Sequence, residues 1–439
     1  MSGEAPGLRA LTRILAANRR GEQRGVTSVC SANPFVLEAA ASQAARRGSL
    51  LCIESTASQV NQEGGYTGMT PAGFAAGVRG AAAAAGVPDD RLVLGGDHLG
   101  PFPWRDLPAA HAMAHAAALV RDCVLAGYQK IHLDASMSCA DDPGGSGAAL
   151  DEKTATARRV VLCLAAEEAS AQAGRAAPVY VIGTEVPTPG GERAGDAGPQ
   201  VTSGDAVVRT LESARDAFAA AGLGDAWERV VAVVAQPGVE FGDDAVVAYD
   251  PLAAAGLTAG VRGTWPVVFE AHSTDYQQPD ALAGLVRDGF AILKVGPWLT
   301  FALREALFAL EAIERELLGR RPGAALSGLR EKLESAMLAE PRHWAAYYDA
   351  DDEELRTRLA FSYSDRCRYY WAQPTVAGAV AALLQNLAGG DIPLELLSQH
   401  LPREYAAVRA GLLTPEAAAL VRARITGVLD LYGDACGDG

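Results

Sequence analysis

The sequence predicts an α/β fold, a TIM-type (β/α)8 barrel extended by helices at its C-terminus. Eight short apolar runs lie between residues 26 and 296, helical segments separate them, and polar residues gather where the runs end. Short, nearly continuous apolar runs are typical of parallel strands buried on both faces. Alternation of strand and helix, repeated eight times, is the pattern of this barrel.

The predicted strands are rich in valine, isoleucine and leucine. They are VTSVCS (26–31), LLCIEST (50–56), RLVLGGD (91–97), KIHLDAS (130–136), VYVIGTE (179–185), RVVAVVAQ (229–236), PVVFEAH (266–272) and FAILKVG (290–296). The predicted helices between them are 35–47, 71–86, 106–126, 151–173, 204–223, 243–255 and 279–288. A doubly wound open sheet is the competing architecture. The count of eight, and the lack of a GxGxxG motif at the start, favour the barrel.

The pattern changes after residue 300. Residues 300–319 predict one amphipathic helix, the eighth of the barrel, and a Gly/Pro/Arg segment follows it. From 325 to 439 the pattern is helical, without a strand or an internal repeat. We therefore expect residues 1–320 to form the barrel and residues 321–439 to form a helical extension packed on it.

Composition limits the classes of function. The formal net charge is −15 with no basic run, which argues against non-specific nucleic-acid binding. Seven cysteines without CxxC spacing predict reduced thiols. There is no signal-peptide pattern and no apolar stretch of the roughly 18 residues that would span a bilayer. We expect a cytoplasmic protein with neither nucleic acid nor membrane as a partner.

Polar and glycine residues stand at the ends of the predicted strands. Because all eight strands of a barrel end on one face, such residues converge there. They are Ser31, Glu54, Asp97, His98, Asp134, Glu185, Gln236, His272, Ser273 and Gly296. The sequence therefore predicts one polar site at this face.

The segment GGDHLGP (95–101) carries the most informative pair in this set. Asp97 and His98 point to opposite sides of an extended chain, so both serve one site only if the strand turns there. The pair then offers a carboxylate for proton transfer beside an imidazole for a metal. The alternative is an Asx-turn with a surface histidine.

His272 is the other histidine that ends a predicted strand. The residues that follow it, including Ser273 and Asp275, are candidates to contact a ligand or to cap the next helix. The remaining histidines are expected only to pack or to be solvated. They are His111, His115, His132, His343 and His400.

Other strand ends offer weaker candidates. Glu185 is a metal ligand, an acid/base or a salt-bridged rim residue. Gln236 is a candidate metal ligand, although an amide oxygen binds a metal less well than an imidazole does, and it also suits a hydrogen bond to a sugar hydroxyl. The loop after Glu54, with Asn61 and Gln62, suits a polyhydroxylated ligand but is equally a plain loop. Gly296 precedes a helix where barrels commonly hold phosphate, although a structural turn is nearly as well supported.

Nine segments together resemble the GatZ/KbaZ family over nearly the whole chain. They are TSVCSANPFVLEAA, ESTASQVNQEGGYTGMTPAGF, LGGDHLGP, KIHLDASMSCA, YVIGTEVPTPGGE, QPGVEF, EAHSTDYQ, AILKVGPWLTFALREALFAL and YSDRCRYYW. The family is described as the non-catalytic subunit of class II D-tagatose-1,6-bisphosphate aldolase, and formerly as a tagatose-6-phosphate kinase. No P-loop motif supports the kinase reading.

The resemblance implies a barrel similar to that of class II aldolases, and roles for individual residues. Asp97 resembles the aldolase proton-transfer aspartate, His98 and His272 resemble its metal ligands, and Glu185 resembles its strand-five carboxylate. Gln236 stands where those aldolases have a histidine, which puts ordinary aldolase activity in doubt. The cofactor implied is a divalent metal: Zn, Mn, Co or Ni.

Two functions follow from the resemblance. One is a metal-dependent C4-epimerase that interconverts fructose and tagatose or their 6-phosphates, with Asp97, Glu185 or Asp134 moving the proton. Arg366 is a separate candidate to contact a phosphate, and its alternative role is a surface or packing ion pair on a C-terminal helix. The other function is a non-catalytic partner that stabilises a catalytic aldolase subunit. Converged acidic and imidazole groups favour the epimerase, since a scaffold does not need them. Homo-oligomerisation is left open.

Overall fold

The structure is a computed structural model that describes residues 6–183, 199–261, 263–348, 352–388 and 390–438. Eight parallel strands close into a barrel in the order β1-β10-β9-β6-β5-β4-β3-β2. These strands are β1 (Val26–Cys30), β2 (Leu51–Thr56), β3 (Leu92–Leu99), β4 (Lys130–Leu133), β5 (Val179–Gly183), β6 (Val230–Val234), β9 (Val268–Ala271) and β10 (Phe290–Val295). The predicted α/β barrel is confirmed.

Helices surround the barrel and continue beyond it. Those up to the last strand are α1 (Pro6–Arg19), α2 (Pro34–Arg47), α3 (Pro71–Ala85), α4 (Ala109–Ala126), α5 (Glu152–Ala173), α6 (Gly204–Ala220), α7 (Gly224–Trp227), α8 (Pro251–Val261) and α9 (Pro279–Arg287). Those after it are α10 (Pro297–Leu318), α11 (Leu329–Ala339), α12 (Asp352–Phe361), α13 (Pro374–Asn386), α14 (Leu394–His400), α15 (Pro402–Arg409) and α16 (Ala417–Ala435).

Local signals account for several helix boundaries. The side chains of Asn33, Thr70 and Asp151 accept hydrogen bonds from backbone N–H groups in the first turns of α2, α3 and α5. Such caps satisfy donors that a helix leaves unpaired. A left-handed glycine, Gly48, ends α2, because glycine adopts this conformation without a Cβ clash.

The predicted helix 243–255 is misplaced. Its first half forms part of a two-stranded antiparallel hairpin, β7 (Glu240–Phe241) and β8 (Val246–Val247), and α8 begins only at Pro251. Proline is favoured in the first turn of a helix, where its missing N–H has no partner to lose. Val246 and Val247 suit an extended strand better than a helix.

The C-terminal helix takes a place in the barrel's outer layer. α16 packs against α2 and α9 and touches β1, while α10 lies along it. Tyr432 of α16 donates a hydrogen bond to the backbone oxygen of Thr274, next to the end of β9. The division at residue 320 stays a prediction, and these contacts cross it.

The N-terminal end of the barrel lumen is apolar and closed. Leu8, Leu11 and Leu15 of α1 are buried there against inward-facing side chains of the strands, such as Val93 and Val181. Among the described residues, no helix is long and apolar enough to cross a membrane. All seven cysteines are free, as predicted.

Candidate active site

A cavity of about 1040 Å³ opens at the C-terminal ends of the strands. Both the barrel and the helical extension line it. From the strand ends come Cys30, Asp97, His98, His272 and Lys294, and from the extension come Arg342, His343, Tyr347, Arg366, Arg368 and Tyr369. The predicted face therefore carries a cavity large enough for a small sugar derivative.

The chain turns at the Asp97–His98 pair. His98 has a φ of 47°, in the left-handed region, and the pairing of β3 with β4 is irregular between Gly96 and Leu99. This turn brings the side chains of both Asp97 and His98 to the cavity. A non-glycine residue in this region costs about 1–3 kcal/mol and is found mainly where function requires it.

Four buried side chains from three strands meet at the base of the cavity. Asp97, His98, His132 and His272 each offer a nitrogen or oxygen atom, and these atoms all lie within 4.8 Å of one another. His132 Nδ1 lies 3.1 Å from Asp97 Oδ1. Imidazole and carboxylate groups at this spacing are the ligand types that divalent transition metals use in proteins.

Carboxylates fix the tautomers of two of these histidines. Asp134 Oδ2 lies 2.7 Å from His98 Nδ1, and Glu270 Oε1 lies 2.9 Å from His272 Nε2. An ionised carboxylate only accepts, so each of these ring nitrogens donates a proton to its partner. When both rings are neutral, the opposite nitrogens, His98 Nε2 and His272 Nδ1, carry lone pairs.

Those two lone-pair nitrogens face each other at 3.1 Å. Two acceptors at this distance repel unless a cation, either a proton or a metal ion, lies beside both. Two nitrogens bound to one zinc ion, each about 2.0–2.1 Å away, are also roughly 3–3.5 Å apart. The residues therefore fit a divalent metal ion, with His98 and His272 as its ligands and Asp134 and Glu270 orienting them.

The electrostatics differ between the members of the cluster. Burial opposes the charge on His98, but Asp97 and Asp134 outweigh it and raise its pKa, so a metal ion on His98 competes with a proton. Burial lowers the pKa of His272 to about 4, so its imidazole is neutral at pH 7. Burial opposes the charge on Asp97, but His98 and Lys294 outweigh it and hold the pKa of Asp97 well below its usual value. Asp97 is thus a carboxylate that can accept a proton.

A second layer of charge lies directly beneath, on inward positions of β2, β4, β9 and β10. Lys130 Nζ is 2.6 Å from Glu54 Oε1 and 2.7 Å from Glu270 Oε2. Lys294 Nζ contacts Glu54 Oε2 and lies 3.1 Å from Asp97 Oδ2. Gly95 leaves room for this layer, since a Cβ there would lie 2.9 Å from Glu54 Cγ.

The extension forms a basic and aromatic wall of the cavity. Arg366 and Arg368 each donate a hydrogen bond to the Tyr369 hydroxyl, at 3.4 and 3.0 Å. The Tyr369 ring stacks on His343 at 4.5 Å and packs edge-on against Tyr66. These guanidinium groups are the positive charge that an anionic substrate would need in an acidic chain.

The structure brings many of the predicted residues to the cavity. Besides Asp97, His98 and His272, the lining includes Ser31, Asn61, Ser273, Asp275, Gly296 and Arg366. Asp275 Oδ1 also accepts hydrogen bonds from the N–H groups of Gly296 and Trp298, at 3.0 and 2.8 Å. It therefore both borders the cavity and caps α10.

Four predicted residues do not line the cavity, and one lies outside the described residues. Glu54 is in the charged layer, Asp134 orients His98, and Gln62 donates a hydrogen bond to the backbone oxygen of His115. Gln236 Oε1 accepts hydrogen bonds from the N–H groups of Gly238 and Val239, so it holds its own loop. Glu185 is the residue outside the described ranges.

Sequence reasoning missed several residues of the site. His132, expected only to pack, is fully buried and is also part of the candidate metal cluster. His343, placed with the packing histidines, lines the cavity. Lys130, Glu270 and Lys294 were not singled out at all. Their signal was the two-residue period of the strands, which puts Lys130, His132 and Asp134 on one side of the chain.

The family model for D-tagatose-1,6-bisphosphate aldolase subunit GatZ/KbaZ-like proteins matches residues 11–437. The chain belongs to this family. Its members are thus described as subunits of an aldolase, which agrees with the resemblance carried by the strand-end motifs.

A solved structure with high similarity agrees with the fold. A probable tagatose 6 phosphate kinase from Sinorhizobium meliloti 1021 is 47% identical, with a TM-score of 0.85, and the match covers 94% of this chain and 100% of that chain. The fructuronate-tagaturonate epimerase UxaE from Cohnella laeviribosi matches at 15% identity and a TM-score of 0.45, over 93% of this chain and 81% of that chain. The second similarity is too weak to bear on function.

Proposed function

We propose that this GatZ/KbaZ-like chain is a metal-dependent C4-epimerase of a ketose or ketose 6-phosphate, acting by retro-aldol cleavage and aldol re-addition. The observation that carries the proposal is the pair of lone-pair nitrogens on His98 and His272, 3.1 Å apart and each oriented by a buried carboxylate. A purely structural subunit has no need of two oriented imidazoles at the base of a cavity.

The metal would be held by His98 and His272, with His132 and Asp97 beside them. When bound, a divalent ion would supply Lewis-acid chemistry, polarising the ketose carbonyl and offsetting negative charge that develops there. Zn, Mn, Co and Ni all accept this donor set. Gln236 is not carried into this ligand set, because its amide oxygen is already bonded to two backbone N–H groups.

Asp97 is the group that moves the proton in this proposal. Its carboxylate accepts the proton of the C4 hydroxyl while the C3–C4 bond breaks, and that bond's electron pair passes to C2 and C3 as an enediolate. The aldehyde formed at C4 turns over, C3 adds to its other face, and Asp97 returns the proton to the C4 oxygen. Glu185 stays an alternative proton-transfer group, whereas Asp134 acts by orienting His98.

Arg366 is the proposed contact for a substrate phosphate, and Ser31, Asn61, Ser273 and Asp275 are proposed contacts for sugar hydroxyls. Arg366, which is buried, and Arg368, which is partly buried, supply two cations to one wall of the cavity. A guanidinium binds phosphate through charge-assisted hydrogen bonds. Arg366→Ala should therefore lower kcat/KM on fructose 6-phosphate by about tenfold or more, and much less on free fructose. Equal losses on both substrates would contradict a phosphate contact.

The experiment that tests the proposal is a product assay on the isolated chain. The protein is stripped of metal, reconstituted separately with Mn²⁺, Zn²⁺, Co²⁺ or Ni²⁺, and incubated with fructose 6-phosphate or fructose. The proposal predicts formation of the tagatose counterpart, with no product from His98→Ala under the same conditions.

The alternative function is a stabilising subunit, as the family's description states. It predicts no turnover by the isolated chain with any of the four metals. It also predicts that adding the chain raises the thermal stability of a catalytic aldolase subunit. That pair of results would replace the epimerase by the scaffold.

A further inference from the structure

A cluster of three carboxylates lies beneath the candidate metal site. One oxygen each from Glu54, Asp97 and Glu270 lies within 4.8 Å of the others, and all three side chains are buried. Three negative charges at this distance, away from water, repel each other strongly unless cations lie among them. By spacing alone, this group could hold a second metal ion.

Two lysine ammonium groups occupy that position instead. Lys130 Nζ lies between Glu54 and Glu270, and Lys294 Nζ lies between Glu54 and Asp97 and 4.0 Å from Glu270 Oε1. The two groups together carry two positive charges, the same charge as one divalent ion. They contact all three carboxylates of the cluster.

The fit between the lysines and the carboxylates is ionic rather than directional. Glu270 Oε2 is fully buried and has no hydrogen bond in the described residues, although Lys130 Nζ is 2.7 Å away. The close ion pair therefore lacks hydrogen-bond geometry. An oxygen held by charge alone is one that a spherical cation would satisfy equally well.

We propose that the ammonium groups of Lys130 and Lys294 take the place of a second metal ion. Because of them, the centre binds one divalent ion fewer than its carboxylates and imidazoles would bind without the lysines. In this role both are positioning residues. Lys130 holds Glu270, which orients His272, and Lys294 holds Asp97 at the edge of the cavity. The inference concerns metal binding, so it can be tested whether or not the proposed epimerase activity is found.

The proposal predicts the number of ions bound. Wild type, Lys294→Met and the double variant Lys130→Met/Lys294→Met are dialysed against Mn²⁺ or Zn²⁺, and bound metal per chain is measured by mass spectrometry. Each lysine variant is expected to bind one more ion than wild type. Lys294→Arg keeps the positive charge, and Lys153→Met removes an exposed lysine, so both should bind the wild-type number.

Folding is monitored by circular dichroism in parallel. A folded Lys294→Met or double variant that binds no more metal than wild type would overturn the proposal. If the two variants do not fold in the absence of metal, the proposal predicts that Mn²⁺ or Zn²⁺ restores their helical signal. Failure of both metals to restore it would equally contradict the stand-in role, because no cation then replaces the lysines.

These results separate the inference from the proposed function. Extra metal in the lysine variants without turnover by wild type would support the stand-in role and reject the epimerase. Turnover by wild type, with the same number of bound ions in the lysine variants as in wild type, would support the epimerase and reject the stand-in role.

Discussion

The two ends of the barrel lumen use the same strands for opposite purposes. At the N-terminal end, Val93 and Val181 face inward and α1 covers them with Leu8, Leu11 and Leu15. Two to four residues after Val93, Val268 and Ile292 of that apolar cluster, on β3, β9 and β10, the inward positions are Asp97, Glu270 and Lys294. The apolar end contributes stability by burial, and the polar end holds oriented, costly charges.

The apolar residues of the lumen thus stabilise the fold, whereas the polar residues of the same lumen form the candidate site. Buried ionised groups are weak contributors to stability, since their desolvation offsets much of their attraction. Their concentration at one end is therefore better explained by a site than by packing. Substitutions at the two ends should have separable effects on stability and on metal binding.

The largest expected effect is the loss of metal from the polar end. His98→Ala or His272→Ala removes one of the two facing nitrogens, so each variant should lose stoichiometric metal binding and, with it, turnover. Equilibrium dialysis followed by metal analysis measures this directly. Full metal occupancy in either variant would exclude that residue from the site.

The apolar end should respond in the opposite way. Leu11 is fully buried, and Leu11→Ala should lower the free energy of unfolding by about 2–5 kcal/mol. Metal stoichiometry in the folded variant should equal that of wild type. Chemical denaturation and metal analysis check the two parts, and Leu412→Ala, at a leucine that is 82% exposed, serves as the control without effect.

An intermediate effect is expected at Asp134, which contacts the proposed metal ligand His98. Asp134 accepts the His98 Nδ1 proton at 2.7 Å and is held by Ser136 at 2.6 Å. Asp134→Asn weakens the orientation of His98, so metal affinity should fall by roughly 10–100-fold. Calorimetric titration of metal into the stripped protein measures this, with Asp216→Asn on the surface as the control. An unchanged dissociation constant would mean that Asp134 does not orient a ligand.

The smallest expected effect is a pH dependence of stability at the cavity edge. Burial raises the pKa of Asp275 to about 6. The native state thus binds this proton more tightly than the unfolded chain, and the stability that it contributes is lost as pH rises through about 6. Asp275→Asn keeps the oxygen that caps α10 and removes the ionisation.

The Asp275→Asn variant should match wild type near pH 4 and exceed it above pH 6 by on the order of 1–2 kcal/mol. Urea unfolding at both pH values measures the difference. A variant that is less stable than wild type at pH 7.5 would show that the carboxylate stabilises the fold in its charged form.

The fold was predictable because its signal is repeated. Apolar strands at eight positions define the barrel. The prediction of helix 243–255 was misplaced because a hairpin takes up its first half. Asp97, His98 and His272 were predictable because they stand where apolar runs end. The need for a turn at His98 was also predictable, and its φ of 47° shows that turn.

Several other site residues were not predicted, because they lie within strands and not at strand ends. His132, Lys130 and Lys294 lie inside apolar runs, where a single polar residue looks like an exception, and only barrel closure shows that they face one another. Arg368 and Tyr369 come from the extension, so their approach to the cavity depends on long-range packing. Gln236 was predicted as a candidate metal ligand, whereas its amide oxygen accepts hydrogen bonds from its own loop. Local bonds of this kind are not visible in a strand pattern.

The most direct test of a metal-dependent polar end is a parallel titration of occupancy and product. The isolated chain is stripped of metal and reconstituted in steps with Mn²⁺ or Zn²⁺, and bound ions per chain and tagatose 6-phosphate formed from fructose 6-phosphate are measured on the same samples. A metal-dependent epimerase predicts no product in the stripped chain and a product rate that rises in proportion to occupancy. Full occupancy without product, or product without metal, would contradict it.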